Sequence, residues 1–401
     1  MHIDRIEAKS ILDTRGKPTI ETTLFADAVQ ATASVPSGKS TGSHEALELR
    51  DADGSVTRAI ENVNGEIANA IVGRDFNSPD ELDSFLIELD GTPNKSRLGA
   101  NAILSVSIAA MRLSALSNGI PLWQAIAKRA GTMPSAPRLF VNVMNGGAHA
   151  DFKLPFQEYL LVVEGKTSDA LPVAQEMFTK LGEQLGTEVA MGDEGGYAPT
   201  FDTLEKPFEI LSSLVAQYPN TSLAIDAAAS ELLHDDTYQL LDKSYSAEEF
   251  SAVYENLVAR FPIHSIEDPF AENASSDFAR ITTALANKIL IIGDDLTCTN
   301  PELIKNAASN KEINTVLIKP NQIGTVREAL EAVKETYAAG FQTVASHRSG
   351  ETNDTFIADF AYGIGAHGLK AGGFGQRERL LKYERLLTIE HETDPGDTVC
   401  A

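Results

Sequence analysis

The feature that most constrains the fold is a series of short apolar runs in the second half of the chain, each ending at a charged or polar residue. The runs end at Asp226, Glu267, Asp294, Lys319, Ser346-His347 and Lys370. From Glu267 onward these ends lie between 23 and 28 residues apart, which is the length of one strand, one helix and two turns. The spacing therefore predicts repeated β-α units.

The segments between these runs carry helix signals. Ser246 with Glu249 forms a predicted capping box, and Asn300 before Pro301 is a predicted N-cap. Repeated β-α units predict an α/β fold, a (β/α)8 TIM-type barrel, in which functional residues lie where strands end. A doubly wound sheet gives the same alternation, but it does not explain why so many successive strand ends carry metal-binding or basic side chains.

The first part of the chain has a different pattern. Residues 6–12 and 19–25 are predicted strands, and apolar periodicities typical of helices follow them. Strands segregated from helices predict an α+β domain. Residues 131–137 are rich in turn-forming residues and are the predicted linker. We therefore expect an N-terminal domain over residues 1–130 and a barrel over residues 131–401.

Charge excludes two classes of partner. The 401 residues include 33 basic and 57 acidic side chains, a formal net charge of −24 at pH 7. This argues against a nucleic-acid ligand, which requires a basic surface, and against anionic membranes. Residues 100–120 are apolar but contain Asn101 and Arg112, which predicts a buried helix rather than a membrane span. The lack of an apolar leader and the two isolated cysteines predict a cytoplasmic protein.

Three acids, Asp226, Glu267 and Asp294, end predicted strands. Neighbouring strands lie about 5 Å apart, so the three carboxylates would converge and repel one another. A divalent ion with oxygen ligands, above all Mg²⁺, would neutralise them. The alternative is that each acid only caps a neighbouring helix.

Two basic residues, Lys319 and Lys370, end further predicted strands. A lysine beside a metal ion and another cation has its ammonium form disfavoured, and it can then act as a base. The alternative is an ion pair with the neighbouring acids. Between the two lysines, Arg348 and Ser349 suit a phosphate group, although an exposed loop has a similar composition.

Three other polar residues are candidates for the same site. Glu194 lies in the glycine-rich residues 192–199, and His149 lies in residues 145–150, whose glycines allow a ligand to approach closely. Glu158 falls inside an apolar run, where a buried carboxylate needs a partner or a catalytic role. Ordinary turns and a buried ion pair are the alternatives.

Taken together, nine segments resemble the enolase family, in order and over nearly the whole chain. They are residues 13–19, 36–42, 94–104, 145–147, 192–196, 265–270, 294–297, 319–325 and 346–352. The resemblance implies an N-terminal α+β capping domain and a modified barrel of the type ββαα(βα)6, whose first two strands run antiparallel. It also implies Mg²⁺-dependent, reversible dehydration of 2-phosphoglycerate to phosphoenolpyruvate, the hydro-lyase step of glycolysis, by a homodimer or an octamer.

The resemblance further implies a role for each candidate residue. Lys319 is expected to remove the C2 proton of the substrate. Glu194, oriented by Glu158, is expected to protonate the departing C3 hydroxyl. The expected substrate contacts are His149, Glu158, Ser40, His347, Arg348, Ser349 and Lys370.

By the same resemblance, two Mg²⁺ ions are expected. The first would bind the strand-end acids Asp226, Glu267 and Asp294. The second would bind Ser40 and the substrate phosphate.

Three positions near the expected site depart from the family pattern. Lys39 stands where a small residue is usual, Ala371 follows Lys370, and the usual proline is missing after Leu160. These departures leave open an enzyme acting on a related phosphorylated or phosphono acid. A more distant alternative is a catalytically silent binding protein, which the complete set of candidate catalytic side chains argues against.

Overall fold

The N-terminal region consists of a three-stranded sheet and a group of helices. A computed structural model of the chain describes residues 1–39, 42–150, 154–186 and 188–393. The strands are β1 (Arg5–Leu12), β2 (Pro18–Ala26) and β3 (Val29–Ser34). The helices are α1 (Thr57–Asn62), α2 (Ala68–Ile71), α3 (Pro79–Asp90), α4 (Ala100–Ser117) and α5 (Leu122–Ala130), with a π-helical turn, Val63–Ile67, between α1 and α2.

The small sheet packs on helix α4. β1, β2 and β3 pair in antiparallel order, and Ile20 and Leu24 of β2 are fully buried. By length and composition α4 is apolar enough to cross a membrane, but 78% of it is buried inside the protein. Burial on all sides explains why this helix is apolar all round, as a core helix is.

The remaining strands form a barrel and a separate small sheet. They are β4 (Arg138–Asn145), β5 (Glu158–Val163), β6 (Thr221–Asp226), β7 (Leu233–His234), β8 (Thr237–Leu240), β9 (Lys243–Tyr245), β10 (Ile263–Glu267), β11 (Leu290–Gly293), β12 (Thr315–Ile318), β13 (Gln342–Ser346) and β14 (Gly368–Lys370). The helices that follow α5 are α6 (Thr167–Leu185), α7 (Lys206–Val215), α8 (Ala247–Arg260), α9 (Ser275–Leu285), α10 (Pro301–Asn310), α11 (Pro320–Ile323), α12 (Val326–Ala338), α13 (Phe356–Ile364) and α14 (Arg377–Thr393).

Eight strands close the barrel in the order β10-β11-β12-β13-β14-β4-β5-β6. β5 runs antiparallel to both β4 and β6, and the other neighbours are parallel. Two strands, then α6 and α7, precede the regular β-α units. The predicted fold class, an α+β domain followed by a ββαα(βα)6 barrel, is therefore confirmed.

Some elements differ from the sequence predictions. The predicted N-terminal sheet had two strands, whereas β3 is a third, whose small and polar residues give only a weak strand pattern. The small sheet β7-β8-β9 was not predicted at all, because its strands are two to four residues long. The predicted capping box of Ser246 and Glu249 and the N-cap Asn300 are both present.

The two parts of the chain meet at the start of helix α12, which is separated from Lys319 by the short helix α11. Three backbone amides in its first turn find acceptors: Val326 donates to Ser107 Oγ at 2.9 Å, Arg327 to Asp83 Oδ2 at 3.0 Å and Glu328 to Thr325 Oγ1. Ser107 and Asp83 belong to α4 and α3, so the N-terminal region caps a barrel helix. First-turn amides are otherwise without partners, so this contact fixes the helix against the N-terminal helices.

Two histidines from facing strands close the end of the barrel at which the parallel strands begin. His264 of β10 and His367, just before β14, place their Nε2 atoms 2.8 Å apart beside the ring of Phe140. Arg138 Nη1 lies 3.3 Å from His367 Nδ1, and the same arginine donates to Glu164. Burial, followed by Arg138, lowers the pKa of His264 to about 4 and that of His367 to about 3. Both rings are therefore neutral when the protein is folded.

This pair predicts a loss of stability in acid. Unfolded histidines take up protons below about pH 6.5, and the folded pair does not until about pH 4. The unfolded chain thus binds more protons, and the free energy of unfolding falls as the pH decreases from about 6.5 towards 4. Urea unfolding at pH 7 and pH 5 is expected to show this fall, about 1 kcal/mol for each histidine after allowance for solvent exposure.

The double variant His264→Gln/His367→Gln should lose that part of the pH dependence. Replacing the exposed His391 with Gln is the matched control and should leave the slope unchanged. If the free energy of unfolding fell equally with pH in the wild type and in the double variant, the expectation would be contradicted.

Candidate active site

A single pocket at the carboxyl ends of the barrel strands brings the predicted site residues together. Those that line it are His149, Glu158, Glu194, Asp226, Asp294, Lys319, His347, Arg348, Ser349 and Lys370. Glu267 does not line the pocket, but its carboxylate contacts Lys370 Nζ at 2.9 Å. Ser40 lies outside the described residues.

Lys370, the last residue of β14, is surrounded by three carboxylates. Its Nζ lies 3.0 Å from Glu158 Oε1, 3.1 Å from Asp226 Oδ2 and 2.9 Å from Glu267 Oε2. Burial acts to lower the pKa of Lys370, but the three acids outweigh it and raise the pKa above its ordinary value. A permanent cation therefore holds in place two of the predicted metal ligands and Glu158, the residue predicted to orient Glu194.

Lys319 is bound to the third predicted ligand. Its Nζ contacts Asp294 Oδ2, and Gln322 Nε2 donates to Asp294 Oδ1 at 2.9 Å. The expectation that the ammonium form of Lys319 is disfavoured is not met by the protein groups alone. Burial does act to lower the pKa of Lys319, but Asp294 outweighs it and the pKa is raised.

Asp268 fixes the backbone of the neighbouring strand end. It is buried, and its two carboxylate oxygens accept the backbone amides of Asp294 at 2.9 Å and Asp295 at 2.8 Å. Oxygen atoms of these three acids lie within 4.8 Å of one another. Burial, followed by Asp294, raises the pKa of Asp295 to about 7.

The chemistry of this donor set fits Mg²⁺. The acidic side chains offer hard oxygen ligands, which Mg²⁺ prefers to nitrogen or sulfur. Among the described residues, Asp268, Asp294 and Asp295 form one group whose ligand atoms lie within 4.8 Å of one another, and His149, Glu158 and Glu194 form a second; the predicted three acids do not form such a group. The predicted set is divided because Lys370 holds two of its members and Lys319 holds Asp294.

A pair of buried carboxylates, Glu158 and Glu194, forms the acid-base part of the pocket. Glu194 Oε1 lies 3.5 Å from His149 Nδ1, and Glu194 Oε2 lies 3.6 Å from His347 Nε2 and accepts from Asn142 Nδ2 at 3.0 Å. Burial and Glu194 raise the pKa of Glu158. Burial acts to raise the pKa of Glu194 too, but His149, His347 and Arg379 outweigh it and lower it. The opposite directions of the two shifts mean that a proton shared by the pair is favoured on Glu158 over Glu194.

The turn that carries Glu194 requires glycine. A Cβ on Gly192 would lie 2.4 Å from the Cβ of Asn145, and Gly195 has a φ of +77°. Only glycine satisfies both a close approach and a left-handed conformation without strain.

The predicted phosphate-binding residues are held by groups that the sequence predictions missed. Arg348 makes a bidentate ion pair with Glu45, at 2.9 and 3.1 Å. Ser349 Oγ accepts from Arg15 at 3.2 Å. Both partners come from the N-terminal region, so this region completes the site. Arg15 lies in one of the segments that resemble the family, and Glu45 lies just beyond another such segment. These positions are the only signal in the sequence that points to either residue as part of the site.

Lys39 also lines the pocket. Its Nζ lies 2.7 Å from Asp193 Oδ2, in the turn that carries Glu194. This departure from the family pattern therefore adds an ion pair beside the site. Gln157 and Asp268 were also missed, although each neighbours a predicted residue in the sequence; Gln157 Nε2 donates to Asp226 at 3.1 Å.

Fold and pocket together define a class of protein: a barrel enzyme that combines a lysine, a carboxylate pair and a cluster of oxygen ligands at its strand ends. Residues 3–126 match the family model of the enolase N-terminal domain, and residues 133–398 match that of the enolase C-terminal TIM barrel domain. The chain belongs to the enolase family.

Curated relatives agree over nearly the whole length. The chain is 41% identical to the enolase of Ehrlichia canis (98% of this chain, 97% of the relative) and 43% identical to that of Methanopyrus kandleri (96% and 95%). It is 41% identical to the enolase of Campylobacter lari, with 98% of each chain covered. The domain boundary at residues 130 and 131 and the individual residue roles stay predictions.

The backbone contacts of Asp268 predict its importance for metal binding. In the variant Asp268→Asn, an amide group would face one of the two backbone N–H groups and lose its hydrogen bond, so Asp294 would be held less firmly. Loss of such an orienting contact typically weakens metal affinity about 10- to 100-fold. A Mg²⁺ titration of activity is expected to shift by about that factor.

The matched control for that variant is Asp236→Asn. Asp236 is exposed and, like Asp268, has a positive φ, +66° against +40°. The variant Asp236→Asn should leave the dependence of activity on Mg²⁺ concentration unchanged. An unshifted titration of Asp268→Asn would contradict the role of Asp268.

Proposed function

We propose that the protein catalyses the reversible dehydration of 2-phosphoglycerate to phosphoenolpyruvate. The observation that carries this proposal is the placement of Lys319 and the Glu158–Glu194 pair in one pocket. Lys319 follows β12 and Glu158 begins β5, which lie opposite each other in the barrel order. A base on one side of a small substrate and an acid pair on the other suit the removal of a proton and a hydroxyl from neighbouring carbons.

The charged groups of the pocket have matching tasks. Lys319 takes the C2 proton in its neutral amine form and becomes an ammonium. Glu194 receives the proton of the neighbouring Glu158 and gives a proton to the C3 hydroxyl, which leaves as water. Arg348 and Ser349 bind the phosphate, and Lys370 binds the carboxylate. Removing the C2 proton adds negative charge next to a carboxylate, so a buried cation such as Lys370 lowers the barrier.

Family membership implies Mg²⁺ as the cofactor, and we place two ions at this site. Asp226, Glu267 and Asp294 would hold the first ion, and Ser40 with the substrate phosphate would hold the second. When bound, Mg²⁺ would supply positive charge that stabilises the negative charge developing on the substrate carboxylate. Ligation of Asp294 would compete with its contact to Lys319.

Two further expectations stay predictions. The homodimer or octamer and the cytoplasmic location are supported by the family resemblance and by the composition alone. No observation in the pocket favours a phosphono acid over 2-phosphoglycerate, and the assembled pocket supports catalysis over a silent binding role.

Replacing Lys319 tests the assignment of the base. Lys319→Ala is expected to lower kcat for phosphoenolpyruvate formation at least about 10²- to 10⁴-fold, the usual contribution of a general base. The reaction is followed by the ultraviolet absorbance of phosphoenolpyruvate. Lys305→Ala, which removes a lysine half-exposed on α10, is the control and should leave kcat unchanged. Near-wild-type turnover of Lys319→Ala would rule out this base.

Metal removal tests the second part of the proposal. The described acids that line the pocket outnumber its cations, so the protein groups alone oppose a substrate with several negative charges. Calorimetric titration with 2-phosphoglycerate is therefore expected to show no binding in EDTA. Binding of the substrate should recover when excess Mg²⁺ is added. In the presence of substrate, Mg²⁺ should bind with a stoichiometry of two. Tight substrate binding in EDTA, or a single bound ion, would contradict this account.

A further inference from the structure

Arg379 of helix α14 is the largest fully buried side chain of the described residues. A guanidinium has five N–H donors, and here each one has an acceptor. They are Gln376 Oε1, His347 Nδ1 and the backbone oxygens of Arg348 (3.2 Å), Asp193 (3.0 Å) and Ser349 (2.9 Å). Four of the five acceptors belong to the two loops that carry the predicted acid Glu194 and the predicted phosphate-binding residues.

This arrangement is not an ion pair. Within the part of the chain that the structure describes, no carboxylate lies within 4.0 Å of Arg379, whereas a buried cation is ordinarily paired because desolvation is costly. The guanidinium is instead satisfied by neutral acceptors that belong to the site. The position of Arg379 therefore depends on the two loops, and the positions of the two loops depend on Arg379.

The contact with His347 determines where the imidazole carries its proton. Arginine stays protonated in proteins and can only donate, so His347 Nδ1 must be the acceptor. A histidine that accepts at Nδ1 has its hydrogen on Nε2 when neutral. Protonation of both nitrogens would place two donors against each other and break the contact.

The remaining nitrogen of His347 points into the pocket. His347 Nε2 is buried, lies 3.6 Å from Glu194 Oε2 and has no hydrogen-bond partner among the described residues. The charged groups that act on this ring are Glu194, Arg379, Lys370 and Lys319. Burial is the first cause that lowers the pKa of His347. Glu194 acts to raise that pKa, and Arg379, Lys370 and Lys319 act together with burial to lower it.

We propose that Arg379 is a positioning residue that fixes His347 as the neutral Nε2–H tautomer, so that His347 presents a hydrogen-bond donor to Glu194 and to the substrate. This inference rests on the proposed function for its effect on turnover, but not for the tautomer itself. A donor beside Glu194 keeps that carboxylate oriented towards the group it protonates.

The surroundings of Arg379 pack closely against its side chain. A Cβ on Gly372 would lie 2.3 Å from Arg379 Cδ, so glycine is required where the side chain passes. One helical turn further along α14, Lys382 donates to Thr352 O at 2.5 Å and pairs with Glu351, and Tyr383 donates to Gly372 O at 2.8 Å. The same face of α14 therefore clamps the loops after β13 and β14.

The tautomer can be measured directly by NMR. In protein labelled with ¹⁵N-histidine, the His347 signals are assigned by their disappearance in His347→Gln. The wild type is expected to show an unprotonated Nδ1 and a protonated Nε2 that stay unchanged between pH 6 and pH 8. An Nδ1–H tautomer, or a ring that titrates in this range, would overturn the proposal whatever the variants do.

The variant Arg379→Lys keeps the charge but cannot reach five acceptors. It is expected to give mixed tautomers of His347 and to lower kcat about 10- to 100-fold, less than the roughly 10²- to 10⁴-fold contribution of a group that itself transfers the proton, with KM within about threefold of the wild type. Arg377→Gln, which removes an exposed arginine of the same helix, is the control and should change neither.

The possible outcomes separate the two proposals. An unchanged tautomer and an unchanged kcat in a folded Arg379→Lys variant would overturn the role of Arg379. A wild type that shows the expected tautomer but no turnover of 2-phosphoglycerate would instead refute the proposed function. If Arg379→Lys does not fold, as judged by near-ultraviolet circular dichroism, the wild-type spectrum decides the matter.

Discussion

The pocket depends on one electrostatic constraint, which is that several buried carboxylates must share very few buried cations. Lys370 alone contacts three of them, and Lys319 contacts a fourth. Removing one partner of such a buried set leaves a charge that is neither solvated nor paired, which is strongly destabilising. The two lysines are therefore needed for folding of the strand ends as well as for any chemistry, and their proposed catalytic roles draw on contacts that already exist.

The site is assembled from three separate parts of the chain. The barrel supplies the acids and lysines, the N-terminal region supplies Arg15 and Glu45, and α14 supplies Arg379. The capping of α12 by Asp83 and Ser107 holds the N-terminal region close to the loop that begins at Lys319. Precise placement of reacting groups thus follows from contacts between rigid elements rather than from the loops themselves.

Much of the fold could be predicted because it repeats. The β-α spacing and the charged strand ends follow from the geometry of a barrel, and the predicted strand-end residues do lie in one pocket. The predictions failed where the cause is long-range. Which carboxylate pairs with Lys370, or that Arg348 binds Glu45, depends on packing that no local pattern records. The three acids predicted to bind one ion are an example of such pairing, since they are divided between two lysines, while their role as metal ligands stays a prediction.

The position of α14 in the chain has a consequence for the order of assembly. All eight barrel strands precede it, so the chain up to the end of β14 contains every proposed reacting group. The loops that hold Glu194, His347 and Arg348 would still lack Arg379, Lys382 and Tyr383. The pocket is therefore complete only when α14 has docked, although this helix supplies none of the proposed reacting groups.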